Sequence, residues 1–201
     1  MKRAALGFRM HSGWGVLVAV SGDASSVEVV DRRRIVITDA TIPGATQPYH
    51  HAASMGLQES ESHIANCAAL SKRLALAAIQ QVVRELDGRQ YRVVGSAVLL
   101  ASGRALPSLA KILAAHPLIH TAEGEFFRNS IRNACERLKI SVEAIREREL
   151  EERMKAAFGN SASQMQREIA TAGSSIGPPW TKDHKAAALA ALLVLSPASE
   201  Q

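Results

Sequence analysis

The sequence predicts an α/β fold with a mixed five-stranded sheet, three antiparallel strands followed by parallel ones, and helices on both faces. Three observations predict it. The first forty residues read as strands broken by two tight turns, which argues for an antiparallel meander. Beyond residue 60 the apolar period lengthens to three and four, and helical segments then alternate with apolar strands. The composition is that of a globular chain: 47% of the 201 residues are apolar and 21% are charged. Only 4% are aromatic, so Ala, Val, Leu and Ile fill most of the interior. The length suits one domain over residues 1–201.

Ala4 to Met10 is short and mostly apolar, and His11-Ser12-Gly13 supplies turn chemistry. Trp14 to Val20 is nearly continuous in Val, Leu and Ala, as a central strand covered on both faces should be. Val27 to Thr38 holds two β-rich pieces around Arg32-Arg33-Arg34. Asp39 to Gln58, with two prolines and two glycines, reads as a long exposed loop. Ile64 to Leu86 then carries apolar residues at helical spacing, and Gly88 reads as its C-terminal cap.

Tyr91 to Ala101 is the fourth strand. A short helix around Leu109, Ile112 and Leu113 follows, with Pro117 read as its stop. Thr121 reads as the cap of a further helix that buries Phe127, Ile131 and Cys135 and exposes Arg128, Arg132 and Arg137. Ile140 to Arg146 alternates and makes the fifth strand. Leu150 to Phe158 and Ser163 to Thr171 are helical, Gly173 to Pro179 is a connector, and Asp183 reads as the cap of a final apolar helix.

The formal charge of +5 favours polyanionic partners such as nucleic acid, a statement about the field and not the fold. A protein partner and a homodimer fit the sequence as well. The two cysteines, Cys67 and Cys135, lie among apolar helical positions and behave as small buried hydrophobes, so a reducing, cytoplasmic setting is expected. Arg9 and His11 interrupt the N-terminal apolar stretch before it reaches signal-peptide length. The longest apolar run, Ala186 to Leu195, is half of what a membrane helix requires, so no membrane association is expected.

Among candidate sites, Arg32-Arg33-Arg34 would send alternate guanidiniums to opposite faces of a strand. They could bind phosphate, or they could guard a solvated edge strand. His50-His51 are adjacent in a loop, and neighbours in sequence seldom ligate one metal. His120, Thr121, Glu123 and Glu125 at a helix start could hold a ligand or a metal, or simply make a well-capped helix. Arg146 and Glu147 stand where a fifth strand ends, within a mixed-charge run that would otherwise be a face laced with ion pairs. Ser12 beside His11 is not a catalytic pair by itself. No phosphate loop, nucleophile elbow or Cys-x-x-Cys occurs, and neither a cofactor nor a metal site is expected.

The element order is that of the RNase H-like fold. The stretch Ala5-Leu6-Gly7-Phe8-Arg9-Met10-His11-Ser12-Gly13-Trp14-Gly15-Val16-Leu17 resembles the opening of bacterial Holliday-junction resolvases. That family begins with an apolar-Gly-apolar-Asp strand, a Gly/Ser turn and a strand starting Thr-Gly-Trp or Thr-Gly-Tyr. The resemblance covers the chain in element order but only about thirteen residues in local pattern.

The departures fall on the chemistry. Arg9 stands where the family places its first metal-binding Asp, Gly95-Ser96-Ala97 lies near where a Glu is expected, and Asp183 of the final helix is followed by His184 and Lys185. A guanidinium cannot coordinate a dication, so two-metal hydrolysis is not expected. The resemblance implies a cleft where Arg9, His11, the strand leading to Ser102, and Asp183, His184 and Lys185 converge. The expectation is a non-catalytic RNase H-like binding or scaffold domain. The alternative is a hydrolase or nuclease acting on nucleic acid through relocated groups. Arg9 either helps bind an anion there or pairs with an acid and closes the cleft.

Overall fold

The computed structural model describes residues 1–23, 26–101 and 105–196. Five strands, β1 (Lys2–Met10), β2 (Trp14–Gly22), β3 (Val27–Val36), β4 (Tyr91–Leu100) and β5 (Val142–Arg146), form one sheet in the order β3-β2-β1-β4-β5. β1 pairs antiparallel with β2 and β2 with β3, whereas β4 runs parallel to β1 and β5 parallel to β4. The helices are α1 (Pro48–Ala52), α2 (Leu57–Gly88), α3 (Leu109–Leu113), α4 (His116–Arg137), α5 (Leu150–Phe158), α6 (Ala162–Thr171), α7 (Gly173–Ile176) and α8 (Lys182–Val194). Among the described residues, no helix is long and apolar enough to cross a membrane.

The period of two in the strands divides the core. Leu6, Phe8, Leu17, Ala19 and Val98 face one layer, where α2 and α4 contribute Ala75, Ile79, Val82, Phe127 and Ile131. Ala5, Val16, Val18, Val20, Ala97, Leu99 and Ile145 face the other, covered by α5, α6 and α8. α2 meets the sheet with Cys67, Ser71, Ala75, Ile79, Val82 and Leu86, one position per turn.

A bulge shifts the alternation of β3 by one residue. Ala19 pairs with Asp31 and Val20 with Val29, so Val30 is the extra residue. Arg33 consequently points toward α2, while Arg32 and Arg34 point toward α8, as strand geometry requires. α8 lies against β1 and β2 with an almost unbroken alanine face, Ala186, Ala187, Ala188, Ala190 and Ala191 all being buried. Gly7 permits this seating. A Cβ added there would stand 1.8 Å from the carbonyl oxygen of Ala187, a backbone atom that cannot swing away.

Several local expectations are corrected. The stretch 39–58 is not a plain exposed loop: it contains α1, with Ala45, Pro48 and Ala52 buried, and the start of α2. Gly88 does not cap α2. The helix runs through it, and the chain reverses at Gln90, whose φ is +65°. Pro117 opens α4 instead of stopping α3, because a proline in the first turn removes an N–H that has no partner there anyway. Thr121 is therefore inside α4, its hydroxyl donating to the carbonyl of Pro117 at 3.0 Å. Arg128 and Arg132 are half-buried, not exposed; Arg137 is exposed.

The contact at Gly7 gives a direct test. Gly7→Ala should lower stability by about 1–3 kcal/mol or more, because overpacking is relieved only by moving α8 away from the sheet. Urea unfolding measures it, and an unchanged midpoint would contradict the seating of α8 described above.

Candidate functional site

The carboxyl ends of the parallel strands and the first turn of α8 meet at one edge of the sheet, where open α/β sheets place their ligands. Arg9, next to last in β1, sits on the α8 side. Its Nη1 lies 2.9 Å from Oδ1 of Asp183, in the first turn of α8. Its Nη2 and Nε lie 3.2 Å from Oε2 of Glu147, which follows β5. The guanidinium thus reaches across the end of β4 and joins two carboxylates. His11 adds a third contact, with Nε2 2.8 Å from Oδ2 of Asp183. Nε2 is also 3.1 Å from Arg9 Nη1. With its proton on Nε2 the ring donates to Asp183, and the approach to Arg9 is then proximity without a hydrogen bond.

The His11 ring stacks on Trp14 at 4.3 Å between centroids. The Arg34 guanidinium lies over the Trp14 ring at 4.3 Å. Beside this stack, a groove of about 570 Å³ runs between β3 and the start of α8, lined by Trp14, Arg34, Lys182 and Asp183 among others.

The remaining candidates disperse. Ser12 is exposed in the turn, and Ser102 lies outside the described residues. Arg146 pairs with Glu149 at 2.9 Å. Glu125 pairs with Arg128 and Arg132 along α4. Asp183 is not the cap of α8. Thr181 holds the cap position, and its backbone N–H and hydroxyl contact Nδ1 of His184 at 3.2 and 2.8 Å. His184 is therefore buried cap chemistry, and burial followed by the charge of Arg32 holds its pKa below the usual imidazole value. Lys185 faces a separate groove with Trp180.

The arginine triplet divides as well. Arg32 donates to the carbonyls of Ile176, Pro178 and Pro179 and so holds the connector before α8. Arg33 joins Asp31 at 2.7 Å and Glu85 of α2. Of the three, only Arg33 has a carboxylate partner among the described residues, and the Arg34 guanidinium lies over Trp14. Both cysteines are free and buried; burial raises the Cys67 thiol and pushes Cys135 up to about 11, so neither is a nucleophile near neutrality.

Two features escaped sequence reasoning. Arg128, expected in solvent, is half-buried and donates to the carbonyl of Leu99 at the end of β4, 3.0 Å away. His120 and Glu123 are remote from the cleft. His120 meets His50 and His116, while Glu123, 3% exposed, contacts Nδ1 of His50 at 3.3 Å and accepts the backbone N–H of Tyr49 at 3.0 Å. Burial raises the Glu123 carboxyl despite those contacts. The signal was the four-residue spacing of His116 and His120, hidden by reading Pro117 as a stop.

No protein-family model matches the chain, and no curated protein is similar to it in sequence. Solved structures are similar in fold. A Thermus thermophilus RuvC in complex with a Holliday junction substrate matches with a TM-score of 0.57 at 12% identity, over 98% of this chain and 96% of that one. A second Thermus thermophilus RuvC structure matches with a TM-score of 0.52 at 13% identity and the same coverage. The chain has the RNase H-like fold of RuvC. Within that fold, the cleft of Arg9, His11, Glu147 and Asp183 occupies the carboxyl edge of the sheet. A carboxylate cage for two dications does not fit there, because the Arg9 guanidinium stands between the two acids and occupies an oxygen of each.

The lowered pKa of His184 has a consequence with a defined sign. The folded state binds this proton more weakly than the unfolded chain, so the contribution is present above pH 6.5 and is lost as pH falls. His63, lowered by burial and by His51, adds a slope of the same sign. The melting temperature should therefore drop between pH 7.5 and 5.5, and His184→Gln should flatten the drop. A variant with the full wild-type slope would remove His184 as its source.

Proposed function

We propose that the chain is a non-catalytic RNase H-like domain, acting as one unit over residues 1–201, that binds nucleic acid. The observation that carries the reading is the position of Arg9: a fixed monovalent cation holds Asp183 and Glu147 together, in place of any metal they could otherwise share. Three features support a nucleic-acid partner. The chain carries a formal charge of +5. Arg34 and Lys182 line a groove beside the stacked rings of His11 and Trp14, a surface suited to phosphate and base. A solved structure of similar fold is a RuvC bound to a Holliday junction. A nuclease reading has its own supporting observation, because two carboxylates do converge at the cleft.

Cleavage assays separate the two readings. With magnesium or manganese, purified protein should cut neither branched nor duplex DNA. Metal-dependent cleavage that Asp183→Asn abolishes would establish the nuclease. The place-holding role of Arg9 has its own measurement. Arg9→Ala leaves Asp183 and Glu147 without their shared cation, so Mn²⁺ binding followed by electron paramagnetic resonance should appear in this variant. It should be absent from the wild type and lost again in Arg9→Ala/Asp183→Asn.

Binding to a four-way DNA junction should weaken steeply with salt as counterions are released. Arg34→Ala and Lys182→Ala should each reduce the slope of log K against log salt by about 1. Arg33→Ala should leave it unchanged, since Arg33 is occupied by Asp31 and Glu85 on the opposite side of the sheet. Absence of binding at low salt would end the nucleic-acid version and leave a protein partner or a second copy of this chain.

A further inference from the structure

Five of the seven histidines in the chain gather at one corner, away from the cleft. His50 and His51 lie on α1, His63 on the second turn of α2, and His116 and His120 on the first two turns of α4. His50 packs against His116 and His120 with ring centroids 5.5 and 4.7 Å apart, and the latter two are 4.4 Å apart. One ring nitrogen from each of the three lies within 4.8 Å of the others.

We infer that His50, His116 and His120 form a binding site for a zinc-type transition-metal dication. Three neutral imidazoles suit a borderline metal and not magnesium or calcium, which take oxygen ligands. His116 and His120 stand four residues apart on one helical face, the spacing that lets two imidazoles reach a single ion. The third ligand comes from another element and is already oriented. The Glu123 carboxylate can only accept from Nδ1 of His50, which fixes the proton there and leaves the Nε2 lone pair for a metal. That carboxylate–imidazole arrangement is the outer shell that histidine ligands of zinc ordinarily have. It is also buried and anchored, because Glu123 is 3% exposed and accepts the Tyr49 backbone N–H as well.

The geometry needs little adjustment. Tetrahedral zinc with Zn–N bonds of about 2.0–2.1 Å places its ligand nitrogens about 3.4 Å apart. The spread of up to 4.8 Å closes by side-chain rotation of His116 and His120, both solvent-exposed. That exposure leaves a fourth position for water. The corner also gains from a crosslink. α1 has five residues, too few to hold a helix alone. Among the described residues, the local apolar cluster buries Ile112, Ile119 and Ala122. A metal joining His50 to α4 would staple α1 to the body of the domain.

Titration of the full chain with Zn²⁺, and with Co²⁺ as a spectroscopic probe, tests the site. One equivalent should bind, Co²⁺ should give the intense visible absorption of a four-coordinate centre, and bound Zn²⁺ should raise the melting temperature. Glu123→Gln should weaken Zn²⁺ binding by about 10-fold, and His50→Ala, His116→Ala or His120→Ala by more. His63→Gln, outside the triad, should bind as the wild type does. Circular dichroism of each variant, recorded without metal, checks that the fold is kept. Two outcomes overturn the inference. One is wild-type affinity no tighter than that of the triple variant. The other is affinity that depends on His116 and His120 but not on His50, which would reduce the site to a surface chelate on one helix.

Discussion

The close approach of α8 to β1 governs the rest of the molecule. A helix with ordinary side chains stands about 10 Å from a sheet, but here an alanine face meets a glycine. The carbonyl of Ala187 then occupies the space a Gly7 side chain would take. Because α8 is pressed onto the centre of the sheet, its first turn arrives at the end of β1. Asp183 then reaches the Arg9 guanidinium directly, at 2.9 Å. The layer that α8 forms with α5 and α6 is built on this seating, and so is the place of the connector before α8, which Arg32 ties to β3 through three backbone carbonyls.

Charge at the cleft follows from that geometry. Two acids brought to one edge of a sheet repel each other unless a cation lies between them. Arg9 supplies the cation from within the chain, permanently, since a guanidinium does not lose its proton in a protein. His11 supplies a further donor, held in place by stacking on Trp14. Each group is about a quarter to a third exposed, so the network is worth less than a buried one and more than a surface pair. Its main effect is to occupy the carboxylates. In the adjoining groove Arg34 and Lys182 have no acidic partner among the described residues.

The architecture was legible because it rests on period and order, and both survive in a single sequence. The continuous apolar run of β2, the four-residue steps of α2 and the succession of elements determined sheet, layers and strand count. Local features that depend on a competing interaction were not. Pro117 reads equally as a stop or a start, and only the packing of α4 decides. Gly88 looks like a cap, yet Gln90 takes the left-handed turn. At the cleft, Arg9 and Asp183 could be placed by resemblance, and Glu147 by its position after the fifth strand. That all three join in one network depends on the seating of α8, which no spacing reveals. The histidine corner was split across residues 50, 116 and 120, too far apart in sequence for any motif.

The start of α8 shows how helix chemistry sets cleft chemistry. Thr181, Asp183 and His184 all have side chains able to satisfy the free N–H groups of a first turn, and only some of them are needed. Thr181 takes the cap position and engages His184, which sits at the third helical residue and turns inward. Asp183, one residue earlier, turns toward the sheet edge with its carboxylate uncommitted to the cap. It still benefits from the helix dipole, which favours an anion in the first turn, and this offsets part of the cost of holding it near Glu147. Were Asp183 the cap, its oxygens would face backbone N–H groups, and Arg9 and His11 would lose their common partner. Assigning the cap to Thr181 and His184 is therefore what allows the acid to reach across to β1 and close the cleft.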